Sequence, residues 1–143
     1  MTDADDGAPE GAGEYADALR RILARIPPRW GRRIDTGPGW YPLIIELDQQ
    51  LAQTDPGYTV HQVKEKFGSL RYYVEESDGL SAEGQARCAA LINEAEKRSA
   101  STCEICGVPG TLHANARRWF RTLCASDAAE SGYTKVAPAE RDS

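Results

Sequence analysis

The feature that most limits how this chain can fold is a set of three cysteines in its last third. Cys103 and Cys106 form a Cys-x-x-Cys pair followed by Gly107, and Cys124 comes after seventeen intervening residues. In such a knuckle two thiolates point at one tetrahedral ion, and the glycine permits the turn behind them. The gap before Cys124 falls in the roughly 15–20 residue interval of two-pair zinc sites. The sequence therefore predicts a structural Zn²⁺ held by these three cysteines.

The fourth ligand has two candidates in the sequence. Asp127 repeats the x-x spacing after Cys124, and a carboxylate oxygen is an acceptable though less common zinc donor. His113 lies between the cysteine pairs and offers the commoner ligand, but the intervening segment would have to fold back on the metal. The spacing favours Asp127 and leaves His113 as the alternative. Water in an open position is a third option, and an open position is what a catalytic zinc needs.

A short hairpin and a short helix are predicted around these ligands. The hairpin covers residues 111–123, and the helix covers residues 124–131 with Cys124 and Asp127 in its first turn. The dipole at a helix N-terminus favours thiolate and carboxylate there. A knuckle, a hairpin and a helix in this order resemble a treble-clef finger.

Three helices are predicted ahead of the cysteines. Apolar side chains recur at helical spacing over residues 14–26, where two prolines stop the pattern, and again over residues 40–51. The third helix covers residues 81–99, with Ser81 as its N-cap. Cys88 lies on the apolar stripe of that helix, so we expect it to be a small core residue.

A β-hairpin is predicted between the second and third helices. Residues 58–76 are rich in β-forming residues, and Gly68 lies between two apolar runs as the turn. Side chains alternate between the faces of a strand, so Leu70 and Tyr72 share one face while Tyr73 lies on the other.

The two ends of the chain differ in composition from the rest. Net charge is −5, and residues 1–18 alone sum to −6. Residues 1–13 are expected to form a disordered acidic tail, and residues 133–143 a flexible one. The predicted fold class is therefore α+β. It has three helices and a β-hairpin over residues 14–100, with a treble-clef-like zinc finger at residues 101–132 packed on them.

Length and apolar patterning exclude several classes of protein. A chain of 143 residues is too short for a barrel enzyme or a doubly wound nucleotide-binding enzyme. No apolar run approaches the roughly 20 residues that span a bilayer, and the N-terminus lacks the basic and apolar regions of a signal peptide. We therefore expect a soluble, cytoplasmic protein with no membrane partner.

Two stretches of the chain combine cations with aromatic side chains, one on the finger hairpin and one on the β-hairpin. Cations pair with phosphates, and aromatic rings offer stacking surfaces. Alternatively, Trp119, Phe120 and Tyr72 are core residues, which a small finger needs, and the cations are solvated. The isoelectric point of about 5.1 argues against tight non-specific nucleic-acid binding. The candidate binding residues are Arg117, Arg118, Trp119, Arg121, Lys64, Lys66, Arg71 and Tyr73.

Several segments, taken together, resemble an uncharacterised family of short bacterial and phage-associated proteins. In those relatives the segment after the third cysteine usually ends in His, so Asp127 is a departure from their pattern. The resemblance implies the α+β architecture, the metal site and an association with phage-related or defence loci. The segments are Gly39-Trp40, the VKEKFGSLRYY stretch at residues 63–73, Ala95-Glu96, Ser99, the knuckle at residues 103–107, and Trp119 with residues 122–124.

The sequence predicts a non-catalytic, zinc-stabilised protein-interaction module, such as an inhibitor, immunity or accessory protein of a phage-related or defence locus. Another protein is thus the expected partner. The first alternative is a DNA- or RNA-binding regulator that uses the arginine–aromatic finger hairpin. A minor alternative is a zinc-dependent or HNH-like hydrolase, which needs a general-base His, a polarising Asn and a further metal ligand. The chain offers only His61 and His113, with Asn115 close to the latter.

Overall fold

The fold is mixed α+β, as the sequence predicts. The computed structural model describes residue 9 and residues 11–137. This part of the chain contains four α-helices and two three-stranded sheets. The helices are α1 (Ala16–Leu23), α2 (Tyr41–Thr54), α3 (Ala82–Ser99) and α4 (Ala125–Ser131); the strands are β1 (Ile34–Asp35), β2 (Thr59–Lys66), β3 (Ser69–Glu75), β4 (Thr111–Ala114), β5 (Phe120–Leu123) and β6 (Thr134–Lys135).

The first sheet has the strand order β1-β2-β3. Strands β2 and β3 form the predicted antiparallel hairpin, and Lys66 faces Ser69 across a two-residue turn. Both turn residues have positive φ, 54° at Phe67 and 85° at Gly68, as a type I′ turn requires. Strand β1 pairs in parallel with β2 and was not predicted, because its two residues lie in a connector rich in glycine and proline.

One face of the first sheet is buried and the other is open to solvent. Val63, Leu70 and Tyr72 are at most 2% exposed and point into the core. On that side α3 packs on β3 and α2 packs on α3. The opposite side, here called the outer face, carries the alternate residues of β2 and β3, and Tyr73 on it is 43% exposed.

The helices lie where the sequence predicts them, but α1 is shorter than predicted. Helix α3 begins after Ser81, whose hydroxyl accepts a hydrogen bond from the Gly84 backbone N–H at 3.0 Å, and Cys88 is buried in the core as expected. Helix α1 ends at Leu23 rather than near Ile26, because the Arg25 carbonyl leaves the helix to accept the Val60 N–H of β2 at 3.1 Å. No helix within residues 11–137 is long and apolar enough to cross a membrane.

Both predicted tails contain ordered residues at their inner ends. The first tail lies largely outside the described residues, but Ala12 is only 5% exposed and belongs to the core. In the second, strand β6 pairs with β4 through His113 and Lys135, and the N–H of Val136 donates to the Leu112 carbonyl at 3.0 Å. The reason is that β4 has a second edge, which β6 covers. Residues 138–143 lie outside the described part.

A buried polar network joins the end of α1 to α2 and the first sheet. The Tyr58 hydroxyl contacts the Asp48 carboxylate at 2.5 Å and the Tyr72 hydroxyl at 2.7 Å. The Arg25 Nε donates to the same Asp48 oxygen at 2.8 Å, and its guanidinium lies 4.4 Å from the Tyr58 ring centre. Burial raises the pKa of both tyrosines, so these hydroxyls keep their protons and serve as donors.

Tyr58→Phe is expected to destabilise the protein by about 1–3 kcal/mol, because it leaves the buried Tyr72 hydroxyl and the Asp48 carboxylate short of a partner. Urea denaturation measures the change in free energy of unfolding. The matched control is Tyr73→Phe on the outer face, which should change it by less than ~0.5 kcal/mol. An equal loss in both variants would contradict the role given to the network.

Candidate functional site

Four metal-binding side chains meet at the C-terminal end of the chain. The ligand atoms of Cys103, Cys106, Cys124 and Asp127 all lie within 4.8 Å of one another. An Asp127 oxygen lies 3.2 Å from the Cys103 sulfur and 3.3 Å from the Cys124 sulfur, and the Cys106 and Cys124 sulfurs are 3.7 Å apart. This group can hold a metal ion.

Local backbone structure brings the ligands together from two sides. In the knuckle, the Cys103 N–H donates to the Val108 carbonyl at 2.7 Å, and the Gly107 N–H donates to the Cys103 carbonyl at 2.9 Å. On the other side, Cys124 is the N-cap of α4, and its sulfur accepts the Asp127 N–H at 3.4 Å. The predicted helix thus places Asp127 one turn after Cys124, which is why its x-x spacing reaches the centre.

His113, the alternative fourth ligand, lies elsewhere. It is 6% exposed on β4, and its Nδ1 donates to the Thr111 carbonyl at 2.8 Å. Strand β4 therefore holds the imidazole in a backbone contact, while Asp127 completes the group of four.

The charges at this centre call for a cation. Hydrogen bonds from Cys106, Cys103 and Cys124 hold the pKa of Asp127 below its usual range, so its carboxylate is ionised at neutral pH. A backbone hydrogen bond with Val108 lowers the pKa of Cys106, but contacts with the Asp127 carboxylate, desolvation and the Cys103 and Cys124 thiols outweigh it and raise that pKa to about 12. The Cys106 thiol thus resists ionisation beside the carboxylate unless a positive ion compensates it.

Glu104, between the first two cysteines, ties the centre to the α+β domain. Its carboxylate accepts the Arg121 Nε–H at 3.0 Å and the Gly37 N–H at 2.8 Å. Its backbone carbonyl accepts the Gly39 N–H at 2.7 Å. The residue is 4% exposed, so these partners replace water. Sequence reasoning missed this role, because no local pattern links an acid at position 104 to a loop before α2.

The same loop fits the knuckle only because it contains Gly39. A Cβ there would overlap the Cys103 carbonyl oxygen and lie 2.6 Å from the Gly107 nitrogen. The next residue, Trp40, is fully buried and donates its ring N–H to the Thr102 carbonyl at 2.8 Å. The loop and the knuckle therefore meet backbone to backbone.

The predicted binding residues of the first hairpin share the outer face. Lys64 lies opposite Arg71, Lys66 opposite Ser69, and Tyr73 opposite Gln62. The aromatic side chain that continues this surface is Phe67, which the prediction omitted. The sequence signal for it was an aromatic residue directly before Gly68 in a turn where Asn or Gly is usual.

The turn of the finger hairpin meets the turn of the first hairpin at a cleft of about 230 Å³, here called the two-turn cleft. Phe67 and Trp119 line it and are 67% and 64% exposed. Trp119 is therefore a surface residue and the core alternative is wrong for it, whereas Tyr72 is in the core. The lining residues are Glu65, Phe67, Arg118, Trp119, Phe120, Arg121 and Tyr133.

Both turns at the cleft hold a side chain on strained backbone. Phe67 has φ 54° and Arg118 has φ 64°, and among the described residues they are the non-glycine residues with positive φ. Such conformations cost about 1–3 kcal/mol each and concentrate at binding sites. Asn115 holds the finger turn, since its side-chain oxygen accepts the N–H groups of Arg117 and Trp119, both at 3.0 Å.

The predicted finger cations have different roles. Arg117 is exposed, and the Arg118 guanidinium lies 5.3 Å from the ring centre of half-buried Phe120. Arg121 lines the cleft but is bound to Glu104, so its first role is structural.

Comparisons of this chain with protein-family models, with curated proteins and with solved structures find no match. No relative therefore supplies a function. Two features of the described residues indicate a function: the four-ligand centre and the two-turn cleft.

Asp127→Ala is expected to weaken metal binding at least 10-fold, because it removes one of four ligands, while Asp127→His should restore it with an imidazole. Competition with a chromophoric chelator measures the affinity. Ser126→Ala, at the exposed neighbouring position, is the control and should bind as tightly as the unaltered protein. If Asp127→Ala also binds the metal as tightly as the unaltered protein, Asp127 is not a ligand.

Gly39→Ala is expected to lower the free energy of unfolding by about 1–3 kcal/mol or more, because the added methyl group separates the loop from the knuckle. Urea denaturation of the metal-loaded protein measures the change. Gly57→Ala is the control, since its added Cβ would meet only one side-chain atom, the Ser77 hydroxyl at 3.1 Å, and no backbone. Equal stability of the two variants would disprove the close approach.

Proposed function

We propose that this protein is a zinc-stabilised interaction module that binds its partner at the two-turn cleft. The observation that carries the proposal is the pair Phe67 and Trp119, which are 67% and 64% exposed although they line one concave site. Aromatic side chains and arginines are enriched where partners bind, and anchors of this kind contribute most of the binding energy.

Zinc fits the donor set at the centre. Thiolates favour zinc over magnesium or calcium, and four protein ligands are typical of a structural zinc. The 3.7 Å between the Cys106 and Cys124 sulfurs is close to the ~3.8 Å expected for two sulfurs ~2.3 Å from one tetrahedral ion. When bound, zinc would neutralise the thiolates and hold the knuckle to α4.

The order of elements supports a finger of treble-clef type. The knuckle at residues 103–107 is followed by the β4–β5 hairpin and then by α4, which supplies Cys124 as N-cap and Asp127. A centre with four protein ligands leaves no open position for substrate, which favours a structural over a catalytic ion. His113 and Asn115, the residues a hydrolase would use, are bonded to backbone groups.

The strained turns support a role in binding. Asn or Gly at positions 67 and 118 would relieve the backbone, yet the chain carries Phe and Arg there. The sequence favours another protein as partner, and the resemblance to phage-associated proteins suggests an inhibitor, immunity or accessory role. A nucleic acid is the second candidate, favoured by exposed Tyr73 and the cations beside it on the outer face.

The zinc part is tested by measuring the metal content of purified protein and its melting temperature with and without chelator. We expect one zinc per chain, and we expect Cys106→Ser to lose the metal and unfold the C-terminal third. Full metal content and unchanged melting in that variant would overturn the zinc proposal.

The surface part is tested with the double variant Phe67→Ala/Trp119→Ala. It should keep zinc and melting temperature but lose the species that the unaltered protein retains from host lysate, whether protein or nucleic acid. The matched control is Trp30→Ala/Val108→Ala, which removes side chains that are 52% and 47% exposed outside the cleft. Binding at the cleft is contradicted if the cleft variant still retains that species, or if the control variant loses as much of it.

A further inference from the structure

The acidity of this protein lies in its terminal segments. Residues 11–137 carry 16 acidic and 16 basic side chains, so the whole net charge of −5 comes from residues 1–10, at −4, and residues 138–143, at −1. The low isoelectric point thus says little about any one surface of the described part. The electrostatic attraction of a partner to one surface depends on the charges at that surface.

The outer face and the two turns at the cleft both carry cations. Lys64, Lys66 and Arg71 lie on the outer face, and Arg117 and Arg118 lie at the finger turn. Glu65, which lines the cleft, pairs with buried Leu70 and so lies on the other side of β2, which means that the Phe67–Gly68 turn separates the cleft from the outer face.

The acidic groups near this surface have partners. Asp35 of β1, in register with Lys64, contacts the Arg33 Nε at 2.9 Å. Glu75 contacts His61 at 3.0 Å, and buried Glu104 is paired with Arg121. Glu65 is half-buried and accepts the Gly68 N–H at 2.7 Å. Burial raises the pKa of Glu65. Positive charge therefore dominates the surface.

Exposed rings accompany the cations on the outer face and at the two turns. Tyr73, 43% exposed, lies four residues along β3 from the turn, which is roughly 13 Å. At the turn itself, the ammonium group of Lys66 lies 5.6 Å from the ring centre of Phe67. Across the cleft stands Trp119. A ring with a cation beside it binds a base by stacking and its phosphate by charge.

We infer that the partner is a single-stranded nucleic acid, which stacks on Phe67 and Trp119 in the two-turn cleft and passes round the Phe67–Gly68 turn to Tyr73 on the outer face. This inference rests on the proposed function. Stacking on protein rings needs unpaired bases, and a flexible strand can follow a surface that turns from a sheet into a cleft. Lysines are depleted from protein–protein interfaces, which disfavours a protein here.

The test is fluorescence anisotropy of the zinc-loaded full chain with labelled 12-nucleotide DNA and RNA single strands and the corresponding DNA duplex, between about 50 and 200 mM salt. Both single strands, or one of them, should bind at least 10-fold tighter than the duplex. The affinity should fall with salt, at a log–log slope of about −0.7 for each phosphate contacted. A preference between the strands reports whether the 2′-hydroxyl is read.

Variants separate stacking from charge. Trp119→Ala and Tyr73→Ala should each lower the affinity about 10-fold while leaving the salt slope unchanged. Lys64→Ala/Lys66→Ala should lower the affinity and reduce the magnitude of the slope by about 1.4. The control is Arg87→Ala/Lys97→Ala, which removes the same charge from exposed positions of α3, the helix behind the sheet, and should change neither.

Three results would overturn the inference: no single-strand binding at 50 mM salt, duplex binding as tight as single-strand binding, or an equal loss in the α3 control. A different set of results would contradict the proposed function. If single strands do not bind but a protein is retained through Phe67 and Trp119, the interaction module stands with a protein partner. If the cleft variant loses nothing in either experiment, both are wrong.

Discussion

The buried carboxylate of Glu104 is the contact on which the arrangement of this molecule depends. Three separate segments meet at this residue: the knuckle that contains it, strand β5 through Arg121, and the loop before α2 through the Gly37 N–H. A carboxylate that is 4% exposed must keep its partners, because an uncompensated buried charge is strongly destabilising. The Glu104 side chain therefore couples the four-ligand centre to the α+β domain, alongside the Gly39 backbone and the Trp40 ring N–H.

This coupling extends to the surface proposed to bind a partner. Arg121 contacts Glu104 on one side and lines the two-turn cleft on the other. Beside it on β5, the Thr122 hydroxyl donates to the Gly68 carbonyl at 2.6 Å, which joins the finger to the turn of the first hairpin. The relative position of Phe67 and Trp119 thus depends on the finger being folded, and the finger depends on its ligands.

Features set by neighbouring residues could be predicted from the sequence, and features set by distant residues could not. Cys124 and Asp127 are one helical turn apart, and Tyr72 and Tyr73 alternate on a strand, so spacing alone placed them correctly. The approach of Gly39 to the knuckle joins segments more than sixty residues apart and leaves no local pattern. Whether Trp119 is core or surface depends on which turn faces it. The isoelectric point cannot describe one surface, because it averages the terminal segments with the rest.

The conformation of Phe67 has a consequence for how the stability of this protein has been shaped. An Asn at this position would suit the type I′ turn without strain, so a more stable sequence is one substitution away. Natural proteins retain such suboptimal residues where the side chain serves a function, and restoring the stable residue then commonly lowers activity. Under the proposed function, the turn is thus a place where selection for folding and selection for binding oppose each other, and the strained Phe67 is the residue at which they meet.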